Sequence, residues 1–325
     1  MQLYFLGALM ITIHPIPRKV IRWGELCATH PPFSIALDGY VFGQPRYLEP
    51  LQGGPKANFN HHEEVDRLGT RCTTAQVYMA IKNGLFSTFR KDGQPHAELY
   101  VNDPDQDVGG STWLFLNHER IKDTKSEPLI NKLINLLDFL DVTGGCFPLD
   151  PDSTTIRQYN WIFEPYTEAR KLGRLPSMTS VEMRNILDAV HSRISHYTLG
   201  RAQEIPSETG YEVLGGNHRW KIVQEKGTQT RMQLMKDGIT AFASLLGQRQ
   251  DGNWTYTLCR QSVFIPFPLL QLYEHLNTLE GITDSVLGWG GGDTIGGSPR
   301  EAGSKLNPQK LEEAITQFLR ETNRL

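Results

Sequence analysis

The fold of this chain is indicated first by residues 33–39, which read FSIALDG. The five residues from Phe33 to Leu37 form a short apolar run, and Asp38-Gly39 favours a tight turn directly after it. This pattern predicts a buried strand that ends in a carboxylate. Taken alone, an Asp-Gly pair after a strand is most often only a turn, because both residue types suit the backbone of that position.

Helix and strand patterns alternate along the rest of the first half. Apolar residues at helical spacing predict helices, and short runs of strand-forming residues predict strands. The predicted elements are a helix from Thr73 to Ile81, a strand at residues 99–101, a helix through residues 113–116, and a helix from Leu129 to Leu140 that Gly144-Gly145 stops. This alternation predicts an α/β fold with a parallel sheet.

The second half begins after residues 150–176, a segment rich in proline, glycine and polar residues. We place the domain boundary there and predict a connecting helix over residues 181–196. Further predicted elements are strands at 220–223, 239–245 and 254–259 and helices at 269–279 and 308–319. The resulting organisation is a parallel-sheet α/β domain at 1–155, a linker with the connecting helix at 156–200, and a smaller α/β domain at 201–325.

Charge and composition exclude several classes of protein. The 325 residues carry 36 acidic and 33 basic side chains, a formal net charge of −3, which argues against attachment of the whole surface to nucleic acid or anionic membrane. The four cysteines are scattered, without the short spacings of a zinc site or a disulfide framework. We therefore expect a reducing, cytoplasmic environment.

The most apolar stretch runs from Leu3 to Ile13. It is about half the ~20 residues that a membrane-spanning helix needs. No basic residue precedes it, as a signal peptide would require. We expect this stretch to be a buried strand or helix, and we expect no membrane association.

Four groups of acidic or imidazole side chains follow predicted strands or lie at helix ends. Ligands of parallel α/β sheets bind outside the carboxyl ends of the strands, and carboxylate oxygens with imidazole suit Mn²⁺ or Mg²⁺. Two such ions about 3.5–4 Å apart can clamp a phosphoryl group. Each group alone is also typical of a turn or a helix end. The groups are Asp38, the run Asn60-His61-His62, the run Asp103, Asp105 and Asp107, and the pair Asp138 and Asp141.

These motifs resemble those of the DHH phosphoesterase superfamily, which includes RecJ-type exonucleases, oligoribonucleases and exopolyphosphatases. The resembling segments are the apolar strand ending in Asp at 34–39 (SIALDG), the namesake triplet at 60–62 (NHH), the Asp-rich strand end at 102–109 (NDPDQDVG), the last metal-binding Asp at 137–142 (LDFLDV) and the glycine-rich C-terminal motif at 296–303 (GGSPREAG). The resemblance covers residues 33–145 and about 285–320.

The resemblance implies a divalent-metal-dependent phosphoesterase, a hydrolase with phosphodiesterase or nuclease activity on a nucleotide or a short single-stranded nucleic acid. It implies Mn²⁺ or Mg²⁺ as cofactor, as two ions, and it leaves a homodimer open. The implied metal ligands are Asp38, His61, Asp103, Asp105, Asp107 and Asp141, and the implied catalytic residues are His61, His62 and Asp105. The implied substrate-binding residues are Gly291, Gly292, Gly296, Gly297, Ser298 and Arg300.

Three features depart from the family pattern. The Asp-rich run follows the double histidine, whereas in the family it precedes it, so the motif order is permuted. Asn60 stands where the triplet has Asp, and Ser298 stands where the C-terminal motif has His. Asn60 and Ser298 favour a rival interpretation, a non-catalytic descendant that binds a nucleotide or a protein partner.

A third interpretation is an α/β enzyme unrelated to this family, in which the acidic residues merely end strands and helices. It would place Asp38, His61, Asp105 and Asp141 far apart. Taken by itself, the glycine-rich segment is also typical of a connection that serves chain geometry alone.

Overall fold

The computed structural model describes residues 11–284 and 287–324, and over this range the chain is a mixed α/β protein. The predicted fold class is confirmed. The chain divides into two compact units, one of residues 11–142 with 158–204 and one of residues 143–157 with 205–324. No helix in the described part of the chain is long and apolar enough to cross a membrane.

The first unit contains nine strands and most of the helices among its described residues. The strands are β1 (Ile11–Pro15), β2 (Ile21–Arg22), β3 (Ser34–Leu37), β4 (Val41–Phe42), β5 (Arg46–Leu48), β6 (Lys56–Phe59), β7 (Arg90–Lys91), β8 (Gln94–Pro95) and β9 (Ala97–Val101). The helices are α1 (Trp23–Thr29), α2 (Arg67–Thr70), α3 (Thr73–Lys82), α4 (Leu85–Thr88), α5 (Gln106–Leu116), α6 (Pro128–Val142), α7 (Thr154–Lys171), whose first residues belong to the second unit, and α8 (Ser180–Thr198).

A five-stranded sheet in the order β1-β9-β3-β6-β5 forms the centre of the first unit. Strands β1, β9, β3 and β6 are parallel, and the edge strand β5 pairs antiparallel with β6. All four residues of β3 are buried, as expected for a parallel strand covered on both faces. Because β3, β6 and β9 are parallel, their carboxyl ends lie at one edge of the sheet, where Asp38, Asn60 and Asn102 follow.

Helix α5 packs against α3, α6 and α8. A Cβ atom on Gly110 of α5 would lie 2.6 Å from Thr74 Oγ1 on α3 and 2.7 Å from Leu137 Cδ1 on α6. Only glycine allows the three helices to approach this closely. This close packing brings the start of α3, the start of α5 and the end of α6 to the carboxyl edge of the sheet.

Helix α7 lies in the segment that the sequence analysis interpreted as a linker. Its composition is polar and it contains Pro165, and proline usually disfavours a helix interior. A stripe of buried side chains at helical spacing nevertheless packs one face of this helix. The stripe consists of Ile156, Tyr159, Ile162, Phe163, Tyr166 and Ala169. The predicted boundary between residues 155 and 156 thus falls within a continuous helix.

The second unit is built on a six-stranded mixed sheet in the order β10-β11-β12-β13-β15-β14. Strands β11 and β12 are parallel, and the other neighbours are antiparallel. Its elements are β10 (Tyr211–Gly216), β11 (Lys221–Glu225), α9 (Thr230–Lys236), β12 (Ala241–Gln248), β13 (Trp254–Arg260), α10 (Leu269–Glu280), β14 (Gly290–Gly291), β15 (Ile295–Gly297) and α11 (Pro308–Glu321). A core around Trp220, Phe267 and Trp289 packs this sheet against its helices.

The apolar stretch from Leu3 to Ile13 is described only in part. Residues 11–15 form β1, in which Ile11 and Ile13 are buried. Residues 3–10 lie outside the described residues.

Candidate metal centre

Asp38 occupies a tight turn at the end of β3. Both Asp38 (φ +49°) and Gly39 (φ +84°) have left-handed backbones, and the Tyr40 amide donates to the Leu37 carbonyl at 3.2 Å. Aspartate is among the few non-glycine residues that tolerate this conformation. The turn interpretation and the site interpretation of Asp38-Gly39 therefore both apply, because the turn directs the buried carboxylate into a polar cluster.

Asn60 fixes the backbone of the double histidine. Its Oδ1 accepts from the amides of His61 at 2.9 Å and His62 at 3.2 Å. Its Nδ2 donates to the carbonyls of Val41 at 3.3 Å and Gly43 at 2.9 Å. An aspartate could not donate to these carbonyls, so the structure gives a physical reason for the amide at this position of the triplet.

Asp107 and Asp141 enter the cluster from two helices. Asp107 lies in the first turn of α5, and its carboxylate oxygens accept from the amides of Thr73 at 2.5 Å and Thr74 at 2.6 Å. Asp141 lies in the last turn of α6, where Arg67 donates to its carbonyl at 3.0 Å. The carboxylate of Asp107 thus holds the N-terminus of α3, whose free amides favour an anion, while it faces the cluster.

The imidazole of His61 is at the centre of three carboxylates. Its Nε2 lies 2.9 Å from Asp141 Oδ2, 3.4 Å from Asp38 Oδ1 and 3.5 Å from Asp107 Oδ2. His61 is fully buried, and Asp38 and Asp107 are nearly so. Four ligand atoms from a strand end, a loop and two helices therefore converge within a volume that excludes most of the solvent.

Several buried polar atoms of this cluster have no hydrogen-bond partner among the described residues. Among the described residues, neither nitrogen of His61 has a hydrogen-bond partner, and neither does Oδ2 of Asp141, because the 2.9 Å approach is not aligned as a hydrogen bond. Buried polar atoms without partners are costly and mark a missing water or ion. Neighbouring ligand atoms in an octahedral site with 2.0–2.1 Å bonds are about 3 Å apart, close to the distances around His61. These residues therefore fit a divalent cation.

The pKa values of Asp107 and His61 reflect the carboxylates that surround them. Burial raises the pKa of Asp107, and Asp38 and Asp141 raise it further, to about 7. Burial lowers the pKa of His61, but Asp141 and Asp38 outweigh burial and raise it to about 11. The acidic groups thus need a positive charge among them, which a proton on His61 or a bound cation can supply.

His62 is the more exposed of the two imidazoles. Its side chain is one-third exposed, and its Nε2 lies 3.0 Å from Asp38 Oδ1. Thr73 Oγ1 donates to the same oxygen at 2.9 Å. Two groups could hold a metal ion, one of Asp38, His61 and His62 and one of His61, Asp107 and Asp141.

Asp105 and Asp103 are not among the side chains that these two groups bring together. Asp105 is the N-cap of α5, and its Oδ1 accepts from the Val108 amide at 2.9 Å. Burial raises the pKa of Asp105 well above its usual range, and Asp38 and Asp103 add to this shift. Burial and then Asp38 raise the pKa of Asp103 to about 6. Both acids are electrostatically close to the cluster without providing a ligand atom in this geometry.

Asp138 has a separate structural role. Its Oδ1 accepts from the Cys72 amide at 2.8 Å, and its Oδ2 accepts from Arg71 Nε at 3.0 Å. It therefore holds the chain just before α3, while Asp141, three residues later, faces His61.

The glycine-rich segment of the second unit forms a tight hairpin. Gly290 and Gly291 of β14 pair with Gly297 and Gly296 of β15. A Cβ on Gly296 would lie 2.2 Å from Tyr273 Oη and 2.4 Å from the Gly290 carbonyl oxygen. This close approach accounts for glycine at that position without any ligand.

The other substrate-binding residues implied for the second unit surround this hairpin. The Gly292 amide donates to the Ile295 carbonyl at 2.8 Å. Ser298 is buried, and its Oγ accepts from the Tyr256 amide at 3.0 Å. The Arg300 side chain is exposed and makes no hydrogen bond within the described residues. Of the implied set, only Arg300 therefore offers a free charged side chain.

The sequence analysis missed several residues that support the cluster. Thr73 and Arg67 orient Asp38 and Asp141, and no sequence pattern distinguished them from ordinary surface residues. Tyr159 and Tyr166 of α7 are buried next to the acids: burial, followed by Asp141 for Tyr159 and Asp103 for Tyr166, raises the pKa of each phenol. The helical spacing of residues 156–169 was the signal that could have identified these tyrosines.

No protein-family model and no curated protein sequence matches this chain.

Proposed function

We propose that the first unit is a divalent-metal-dependent phosphoesterase that hydrolyses a small or single-stranded nucleotide substrate. The observation that carries the proposal is the position of His61 Nε2, within 3.5 Å of carboxylates on Asp38, Asp107 and Asp141. The cluster lies at the carboxyl edge of a largely parallel sheet, where α/β enzymes bind their substrates. The resemblance of these motifs to the DHH phosphoesterases supports the same class.

The donor set supports Mn²⁺ or Mg²⁺ as the ion. Three carboxylates and an imidazole are hard or borderline ligands, and no thiolate is among them. One imidazole nitrogen binds one ion, so His61 would ligate only one of two ions, and a second ion would draw on Asp38 and His62. The bound cation would supply Lewis acidity and would offset the charge of a phosphoryl group.

The other tasks, holding the cation, contacting the substrate and orienting the ligands, would fall to different residues of the chain. Asp38, His61, Asp107 and Asp141 would hold the cation. His62, exposed and fixed by Asp38 at 3.0 Å, is placed to contact a phosphate oxygen of the substrate. Thr73 and Arg67 would keep Asp38 and Asp141 in orientation through their hydrogen bonds.

Asp141→Asn and Asp138→Asn form a matched pair for the test. The two acids are three residues apart on α6, but only Asp141 reaches His61. Metal content after dialysis against Mn²⁺ would be measured by elemental analysis, and hydrolysis of five-nucleotide RNA and DNA would be followed by chromatography. We expect Asp141→Asn to lose at least about 100-fold in metal affinity and activity, since loss of an outer-shell partner alone costs 10–100-fold.

Asp138→Asn should retain both properties. The proposal fails if the wild type hydrolyses no oligonucleotide or simple phosphodiester and Asp141→Asn holds as much Mn²⁺ as the wild type. Metal binding and nucleotide binding without hydrolysis would instead support the non-catalytic interpretation.

A further inference from the structure

A cavity in the first unit is lined in part by residues that are close in the chain to the candidate metal centre: Phe42 follows Asp38 by four positions, and Glu64 follows His62 by two. Its volume is about 190 Å³, below the 300–1,000 Å³ of pockets that enclose drug-sized ligands. It can therefore take one ring system or one nucleotide unit. Its lining consists of Arg22, Trp23, Gly24, Phe42, Arg46 and Glu64.

The cavity combines positive charge with aromatic rings. The Arg22 guanidinium makes no hydrogen bond or ion pair with any described residue, and Arg46 is only loosely paired, with its Nη2 3.9 Å from Glu64 Oε2. Phe42 is 48% exposed although it is a large apolar side chain. Two arginines against one glutamate leave a net positive charge next to rings on which a base can stack.

Hydrogen bonds of one side chain, that of Asn60, connect the backbone around Phe42 to the candidate metal centre. Asn60 donates to the carbonyls of Val41 and Gly43, on either side of Phe42, and accepts from the amides of His61 and His62. Asn60 thus links the backbone around Phe42 to the double histidine, and Asp38 lies only four residues before Phe42.

We infer that this cavity binds the nucleobase and phosphate of a nucleotide that adjoins the scissile phosphate. The inference rests on the proposed function and narrows its substrate to a dinucleotide or oligonucleotide, because inorganic polyphosphate has no ring to stack. Stacking on Phe42 and Trp23 accepts any base, and the arginines hold the phosphate. Positive charge here also compensates the acidic cluster, which by itself repels the substrate.

Equilibrium binding by the full chain in Mn²⁺ tests this inference. The probes are a 5′-phosphorylated diadenylate with a non-hydrolysable methylphosphonate linkage and, as a base-free anion, inorganic tripolyphosphate. Phe42→Ala should weaken diadenylate binding about tenfold, since stacking contributes about 1–3 kcal/mol per base and 1.4 kcal/mol corresponds to tenfold, and it should leave tripolyphosphate binding unchanged. Arg22→Gln should reduce the salt dependence of diadenylate binding by about 0.7 in log–log slope.

The matched controls are Phe264→Ala and Arg219→Gln in the second unit, where Phe264 is an aromatic residue that is 89% exposed. Both control variants should bind the two probes like the wild type. Unchanged diadenylate affinity in both Phe42→Ala and Arg22→Gln overturns the inference, even if the wild type hydrolyses oligonucleotides. Absence of diadenylate binding by the wild type also overturns it. If Phe42→Ala and Arg22→Gln weaken diadenylate binding but the wild type hydrolyses no oligonucleotide, the cavity is supported as a nucleotide-binding site and only the proposed function is rejected.

Discussion

Single side chains in this protein owe their identity to hydrogen bonds that only the fold reveals. Asn60 stands where the triplet that these residues resemble has Asp, a change that removes one negative charge. In the structure it is buried and uses both ends of its amide. The amide at position 60 therefore has a structural reason that is independent of any activity of the candidate metal centre.

Asn60→Asp should destabilise the protein by at least about 3 kcal/mol. The carbonyls of Val41 and Gly43 would lose their donor, and a new carboxylate would face Glu63, whose Oε2 now lies 2.7 Å from Asn60 Nδ2. Urea denaturation would measure the change. Asn83→Asp, at an exposed helix end, is the control and should cost no more than about 1 kcal/mol. Equal effects in the two variants would contradict this account of Asn60.

His191 on α8 should make the first unit sensitive to acid. Burial, with help from Arg184, lowers its pKa to about 4, whereas in the unfolded chain it is about 6.5. Between these values the unfolded state binds the extra proton, so the free energy of unfolding falls as the pH falls from 6.5 to 4, by up to about 1.4 kcal/mol per unit.

His191→Gln should remove this part of the pH dependence. Denaturation of the wild type and the variant at pH 4.5, 5.5 and 6.5 gives the difference in slope, in which the titration of the carboxylates cancels. Parallel pH profiles for the two proteins would show that His191 does not titrate as its burial requires.

At the scale of elements, the site depends on where helices begin and end. Asp107 holds the first amides of α3, Asp105 caps α5, and the last turn of α6 supplies Asp141. Of these acids, Asp107 both holds the start of a helix and belongs to the cluster, Asp105 is a cap alone, and Asp141 is a cluster member. A local backbone role and a place in the cluster coincide in Asp38, at its turn, and in Asp107.

Asp138→Ala tests whether an acid on α6 can support the structure without contributing to metal binding. It removes the acceptor of the Cys72 amide, which is buried, and the partner of Arg71. Leaving a buried amide without an acceptor costs about 1–3 kcal/mol, so the free energy of unfolding should fall by that amount while Mn²⁺ affinity stays within about threefold of wild type. Thermal denaturation and metal titration measure the two quantities. A large loss of metal affinity would place Asp138 in the metal centre.

At the scale of the whole molecule, the candidate metal ligands all belong to the first unit, and the glycine-rich hairpin belongs to the second. A ligand that binds only the native state stabilises the part of the molecule that contains its site. We therefore expect a bound metal ion to stabilise the first unit against unfolding more than the second unit.

Calorimetry should show two unfolding transitions, of which Mn²⁺ shifts one. At 100 times its Kd the ion should add about 2.7 kcal/mol to the free energy of unfolding of the first unit. The His61→Ala variant should lose the shift, and the transition of the second unit should be the same in both proteins. A shift of equal size in both transitions would contradict the assignment of the site to the first unit.

The sequence by itself determined the elements with a strong local pattern. The strand at 34–37, the helices at 73–82, 128–142 and 308–321, and the alternation that makes the fold α/β follow from apolar periodicity and turn residues. That periodicity depends only on residues that are near one another in the chain, so the sequence is enough to detect it. The polar helix α7 was missed because its buried stripe competes with a proline and a polar composition.

Only the tertiary structure decided which polar residues act together. Asp138 and Asp141 look alike in the sequence, as do Asp105 and Asp107, yet in each pair only one carboxylate, that of Asp141 or Asp107, lies near His61. The parallel register of β3, β6 and β9 and the close packing of α3, α5 and α6 bring the carboxylates of residues 38, 107 and 141 to within 3.5 Å of one imidazole nitrogen of His61. Such convergence depends on contacts between residues up to 80 positions apart, and no local pattern in the chain encodes it.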